Sequence, residues 1–191
     1  METLYELWGK RNPEWEKKYY SSIIEPFTNY KDGVNQYLEN RGKIFGAGYE
    51  IYIIAFFIGL YFDRTKPLVI DRTKRKVFGQ PIMYWGRIEE RQGREKYEQI
   101  REYIFAALVA RTDIDFIALD KGELSIKKAV DKLIDKMEQY ANYGFDYMAE
   151  KLEDNPNYFF KDTSFLRIFL DFLNDEGEKE EEIGDEPESL D

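Results

Sequence analysis

The 191-residue chain has no cysteine and no histidine. Without cysteine there are no disulfides, no thiolate nucleophile and no cysteine-built zinc site, which argues against a stapled secreted scaffold. Without histidine the commonest general base and the commonest transition-metal ligand are missing, and a Ser/His/Asp triad is ruled out. Any chemistry would have to come from carboxylates, Lys, Tyr, Ser/Thr or magnesium. Long apolar runs are scarce too. The longest, Ile51 to Phe62, is twelve residues between Glu50 and Asp63, where crossing a bilayer takes about twenty. The first residues, Met1 to Glu6, lack the basic start and apolar stretch of a secretory signal. Together these absences read as a cytoplasmic protein with no membrane partner.

What the chain does have is aromatic rings and charge. Tyr (15), Phe (14) and Trp (3) supply 17% of the residues, enough to build a core from few large side chains. Charged residues are 35%, an ordinary share for a globular surface.

Periodicity points to helices. Asn12 before Pro13 reads as a helix start, with Trp15, Tyr19, Ser22 and Ile23 at helical spacing until Pro26. Asn29 caps a second short helix carrying Tyr30, Val34, Tyr37 and Leu38, ending near Asn40 and Gly42. From Gly46 to Phe62 the chain is apolar nearly all round. Its β-branched and aromatic content suits a buried strand, but its length favours a central helix. Asp63 to Gly93, broken by Pro67, Gly79, Pro81 and Gly86, is the least helical part, and Leu68 to Ile70 could form a short strand.

Helical spacing returns from Arg94 to Arg111 through Tyr97, Ile100, Ile104, Ala107 and Leu108. After a connection at Asp113 to Gly122, a long helix runs from about Glu123 to Glu153, its stripe passing Ile126, Val130, Leu133, Met137 and Tyr140. Gly144 should either kink this helix or admit a close neighbour. Asp154, Asn155 and Pro156 end it, and a last helix begins at Asp162 or Thr163. The expected fold is mainly α: an irregular multi-helix bundle around a central apolar helix, with room for a short β-strand or hairpin near residues 67–85. Residues 1–174 form a single helical domain in this reading, followed by an acidic tail at 175–191.

Charge is unevenly placed. Residues 175–191 hold ten acids against one lysine, a net of −9 out of −10 for the chain, which leaves about −1 for the rest. Such a segment repels itself and has little to bury, so disorder is the physical expectation. It reads first as a solubilising tail; a tail that competes with nucleic acid for a basic surface is the sharper alternative. The opposite feature lies at Arg64, Lys66, Arg72, Lys74, Arg75 and Lys76, six cations against Asp71. Such residues beside hydroxyls can contact backbone phosphates, and Tyr84 and Trp85 just beyond could stack on bases. The plainer reading is a solvated loop.

Familiar catalytic motifs are lacking. Gly46-Ala47-Gly48 has no third glycine, since Ile51 stands there, so it is no dinucleotide loop. Glu50 and Asp63 are too commonplace to nominate a glycosidase pair, and Asp113 and Asp115 specify a magnesium site poorly. No catalytic residue, cofactor or metal ligand is assigned.

Two strings carry a resemblance. One is Ala55-Phe56-Phe57-Ile58-Gly59-Leu60, leading through Arg64 to Pro67 and Leu68; the other is Tyr140-Ala141-Asn142-Tyr143-Gly144-Phe145. Over residues 45–173 the chain resembles small helical accessory proteins encoded beside bacterial DNA phosphorothioation (Dnd) and related restriction systems. It departs from their pattern at Phe56-Phe57 and at Tyr143, where a small residue is expected. The resemblance implies a setting, DNA modification or anti-phage defence, and no reaction. On it, the chain is expected to be a non-enzymatic accessory or adaptor that meets DNA or a protein partner through the basic turn. The alternative is a helical protein-interaction module using Trp8, Tyr84 and Trp85, and a carboxylate metalloenzyme is a third reading.

Overall fold

A computed structural model describes residues 2–28, 45–87, 95–161 and 163–170. The expected helix from Asn29 to Asn40 and the acidic tail at 175–191 lie outside the described residues.

Helix α1, Leu4–Gly9, opens on a capping box. Thr3 Oγ1 accepts from Glu6 N (3.2 Å), and Glu6 Oε2 accepts from Thr3 N (2.7 Å), so two helix-end donors are satisfied at once. The helix expected from Pro13 starts instead as strand β1, Glu14–Glu16, followed by a 3₁₀ turn at Lys17–Tyr19 and a π-turn at Tyr20–Ile24. Helix α2 is the short Glu25–Phe27. Tertiary pairing overrides local spacing here. β1 is antiparallel to β2, Arg75–Val77, with Trp15 opposite Lys76, and the Trp15 ring stacks 5.2 Å from Phe78.

The strand expected at Leu68 to Ile70 therefore forms a few residues later. At Val69 the backbone N donates to Glu16 Oε1 (2.7 Å) and the carbonyl accepts from Arg75 Nε (2.6 Å). With both backbone groups held by side chains, Val69 has nothing left for a ladder.

The apolar segment is helix α3, Gly48–Tyr61. Glu50 in its first turn accepts from Gly46 N (2.6 Å) and Ala47 N (3.1 Å), which satisfies helix-end donors. Asp63, at φ 47°, ends it. Helix α4 is Ile100–Arg111, α5 is Phe116–Asp120 within the expected connection, α6 is Ile126–Asp154, and residues 164–170 form α7.

α3 and α6 form the central pair. They run antiparallel at very close range, since a Cβ at Gly59 would fall far inside contact distance of the Tyr140 carbonyl, and one at Gly144 would do the same to the Ala55 carbonyl. Gly144 therefore admits a neighbour and does not break α6, which continues to Asp154. Around this pair one core runs from Trp8, Trp15 and Tyr19 through Tyr52, Phe56 and Trp85 to Phe145, Phe159 and Ile168. With the β1–β2 ribbon as its only sheet among the described residues, the protein is mainly helical. None of the described helices is long and apolar enough to cross a membrane.

Candidate nucleic-acid interface

The basic segment is anchored to α6 through the buried Asn142 amide and through Lys66. Asn142 Nδ2 donates to Glu16 Oε1 (3.0 Å), Pro67 O (3.0 Å) and Lys66 O (3.3 Å). Lys66 N donates to Gln139 O (3.0 Å), and Lys66 Nζ reaches Asp146 Oδ2 (2.5 Å). So the two strings of the resemblance meet in space: the turn after α3 is stitched to the Tyr140–Phe145 stretch of α6.

The electrostatics follow from this anchoring. Burial pushes the Glu16 carboxyl up, but the bond from Val69 N, the Lys18 ammonium and the Asn142 amide outweigh it and hold the group below its ordinary range. Asp146 behaves alike: burial raises it, while Lys66, Tyr19 and Lys18 together pull it lower. Both carboxylates thus stay ionised and keep neighbouring cations in place.

The six cations of the segment have different duties. Lys66 is spent on Asp146. Arg75 pairs with Glu14 Oε2 (3.0 Å) and donates to Val69 O. Lys76 lies over the Tyr20 ring, 5.7 Å from its centroid. The side chains of Arg64, Arg72 and Lys74 are exposed. Asp71 opens the turn at Arg72–Lys74 by accepting from Thr73 N (2.9 Å) and Thr73 Oγ1 (2.7 Å).

The ribbon brings two further lysines that the local charge run did not include. Lys17 Nζ donates to Thr73 O (2.7 Å), which places it against the turn. Lys18 pairs with Glu16 Oε2 (3.1 Å), with Asp146 3.7 Å away. Lys17, Arg72 and Lys74 are exposed, and they make one cationic end of the ribbon, beside the Glu16–Arg75 pair. A Lys-Lys pair directly after a strand-compatible Glu-Trp-Glu was the available signal, but only its pairing with residues 75–77 gives it meaning.

The aromatic part of the expectation is corrected. Trp85 is fully buried: its ring stacks on Tyr49 at 5.5 Å and 8°, and its Nε1 donates to Gln80 O (3.0 Å). It has no face left for a base, and Trp8, expected as a protein contact in the alternative reading, is also fully buried. Tyr84 is 41% exposed with the Arg87 guanidinium 5.5 Å from its ring. It belongs to the 3₁₀ turn Ile82–Tyr84, which packs beside α1 through the bond from Ile82 N to Arg11 O (3.0 Å).

The carboxylates considered for catalysis are kept apart. Glu50 and Asp63 flank α3 thirteen residues apart in sequence, about 20 Å along a helix, far beyond the spacing of a glycosidase pair. Glu50 also accepts from Tyr97 Oη (2.6 Å). Asp115 caps α5 by accepting from Ala118 N (2.8 Å). No group of three or more acidic ligands that could hold a metal ion occurs among the described residues. Comparisons with family models, with curated proteins and with solved structures found no match to this chain.

Proposed function

We propose that this chain is a non-catalytic accessory protein that contacts the phosphate backbone of DNA through the cationic end of the β1–β2 ribbon. The supporting observation is the convergence of Lys17 with Arg72 and Lys74 at one end of a ribbon fixed to α6. These side chains are phosphate-contacting types presented on a prearranged backbone, which is what a sequence-independent contact uses. The resemblance to accessory proteins of DNA phosphorothioation and restriction systems supports the same setting. Burial of Trp8 and Trp85 removes two of the three aromatic anchors of the alternative interaction module.

The expected contact is weak and salt-dependent. Three or four neutralised phosphates give a slope of log K against log salt of about −3, and an affinity at the weak end of non-specific binding, on the order of 10⁻⁴ M at physiological salt. Fluorescence anisotropy with an arbitrary duplex, titrated across salt, measures both quantities. Replacing Arg72→Glu together with Lys74→Glu abolishes the binding while leaving the fold intact, since both side chains are exposed. Absence of binding in dilute buffer, or equal binding by the double variant, rejects the proposal and leaves the protein-interaction reading.

A further inference from the structure

We infer that the acidic segment 175–191 docks on the cationic end of the ribbon in the same molecule and competes there with nucleic acid. This rests on the proposed phosphate-contacting role of that face. Charge is the first reason. The segment holds a net of −9, and among the described residues Lys17, Arg72 and Lys74 present ammonium and guanidinium groups to solvent. A carboxylate-rich segment offers such a surface the same ligand chemistry as a phosphate backbone: closely spaced anionic oxygens.

The path of the chain is the second reason. In α7, the Phe169 ring lies 5.0 Å from the Tyr61 ring. Tyr61 ends α3 and stands three residues before Arg64, the first cation of the basic segment. The described chain therefore reaches Leu170 beside the start of that segment. From Tyr61 to Lys74 is thirteen residues, so at most about 47 Å separates them. The 21 residues from 171 to 191 can reach about 70 Å. The acids can therefore reach any cation of the ribbon.

Competition follows from concentration. A short tether holds the segment at an effective concentration in the millimolar range, about tenfold above the dissociation constant of a docking contact as weak as the duplex contact, on the order of 10⁻⁴ M. Even a weak docking contact then weakens duplex binding several-fold. Because both contacts are exposed and ionic, the competition fades as salt screens it.

The test uses the full-length chain with every acid from Asp175 to Asp191 converted to its amide, next to the parent. Amide resonances of Lys17 and Arg72 to Lys76 are recorded without nucleic acid, and duplex affinity is measured across salt. Docking predicts that these resonances shift on neutralisation, independently of protein concentration, and that duplex binding tightens about three- to tenfold in dilute buffer with no difference at high salt. Unchanged resonances overturn docking even if duplex binding tightens, because long-range repulsion alone gives that result. Shifts that depend on protein concentration assign the acids to a neighbouring molecule and also overturn it. Shifted resonances without duplex binding by either form keep the docking and reject the DNA reading. Duplex binding with unchanged resonances does the reverse.

Discussion

Glu138 is a carboxylate whose ionisation the fold opposes. It sits half-buried on α6, and its Oε1 accepts from Glu14 N (2.8 Å), which ties the start of β1 to the helix. Burial, with Glu14 and Asp135 nearby, pushes its carboxyl from an ordinary 4.5 up to about 7, although the Glu14 amide and Arg75 pull the other way. A raised carboxyl binds its proton more tightly in the folded than in the unfolded chain. Its contribution to stability is complete below about pH 4.5 and is lost as pH rises through about 7. The loss amounts to at most about 3 kcal/mol, less in so far as solvent reaches the group. Glu138→Gln keeps an acceptor for Glu14 N and removes the charge. Chemical denaturation should find the variant equal to the parent near pH 4 and more stable at pH 8, by up to that amount. A parent whose excess stability at low pH survives the substitution would place the titration elsewhere.

At the scale of elements, the α3–α6 contact depends on two missing side chains. Gly144→Ala gains about 1 kcal/mol of helix propensity, but its methyl must displace the Ala55 carbonyl, a backbone atom in the facing helix. Overpacking of that kind costs more than the propensity gain. The net expectation is a loss of about 2 kcal/mol or more for Gly144→Ala, and likewise for Gly59→Ala, read from urea midpoints. The double variant should fall short of the sum, because both methyls force the same two helices apart. A thermally neutral Gly144→Ala would contradict the close approach.

The same contact shows what could be read from residues alone. α3, α4 and α6 were legible because length and periodicity are local properties, and Gly144 was legible as a special position. Thr3-x-x-Glu6 did mark α1, but as a six-residue helix it has no periodic stripe to draw attention. The local pattern after Pro13 predicts helix where β1 forms, because those three residues pair with a strand some sixty positions away and nothing nearby signals that partner. The basic segment was visible as a run of charge. Which of its cations are spent on Asp146, Glu14 and Val69 O, and that Lys17 stands beside the exposed Arg72 and Lys74, depends on pairing between distant segments. Trp85 likewise is enclosed by Tyr49 and Gln80, neighbours that its local sequence does not reveal.

Across the whole molecule, the ribbon is held in place while its charged end is left open. Asn142 is the main tie: 2% exposed and on the central helix, it bonds Glu16 at the end of β1 and the carbonyls of Lys66 and Pro67 in the turn after α3. Asn142→Ala removes the donor and leaves these acceptors short, at a cost of about 1–3 kcal/mol. That lowers the melting temperature by about 2–4 °C for each kcal/mol in a chain of this size. Its effect on DNA should differ in kind from loss of a cation. Asn142→Ala leaves every lysine and arginine present but less well ordered, so affinity falls a few-fold with the salt slope unchanged. Lys74→Ala removes one phosphate contact, so the slope becomes shallower by about 1 while the melting temperature holds. Measuring slope and melting temperature on both variants separates support of the site from contact with the ligand. A changed slope in Asn142→Ala would mean that the cations redistribute when the tie is cut, and that the ribbon does not act as a rigid mount.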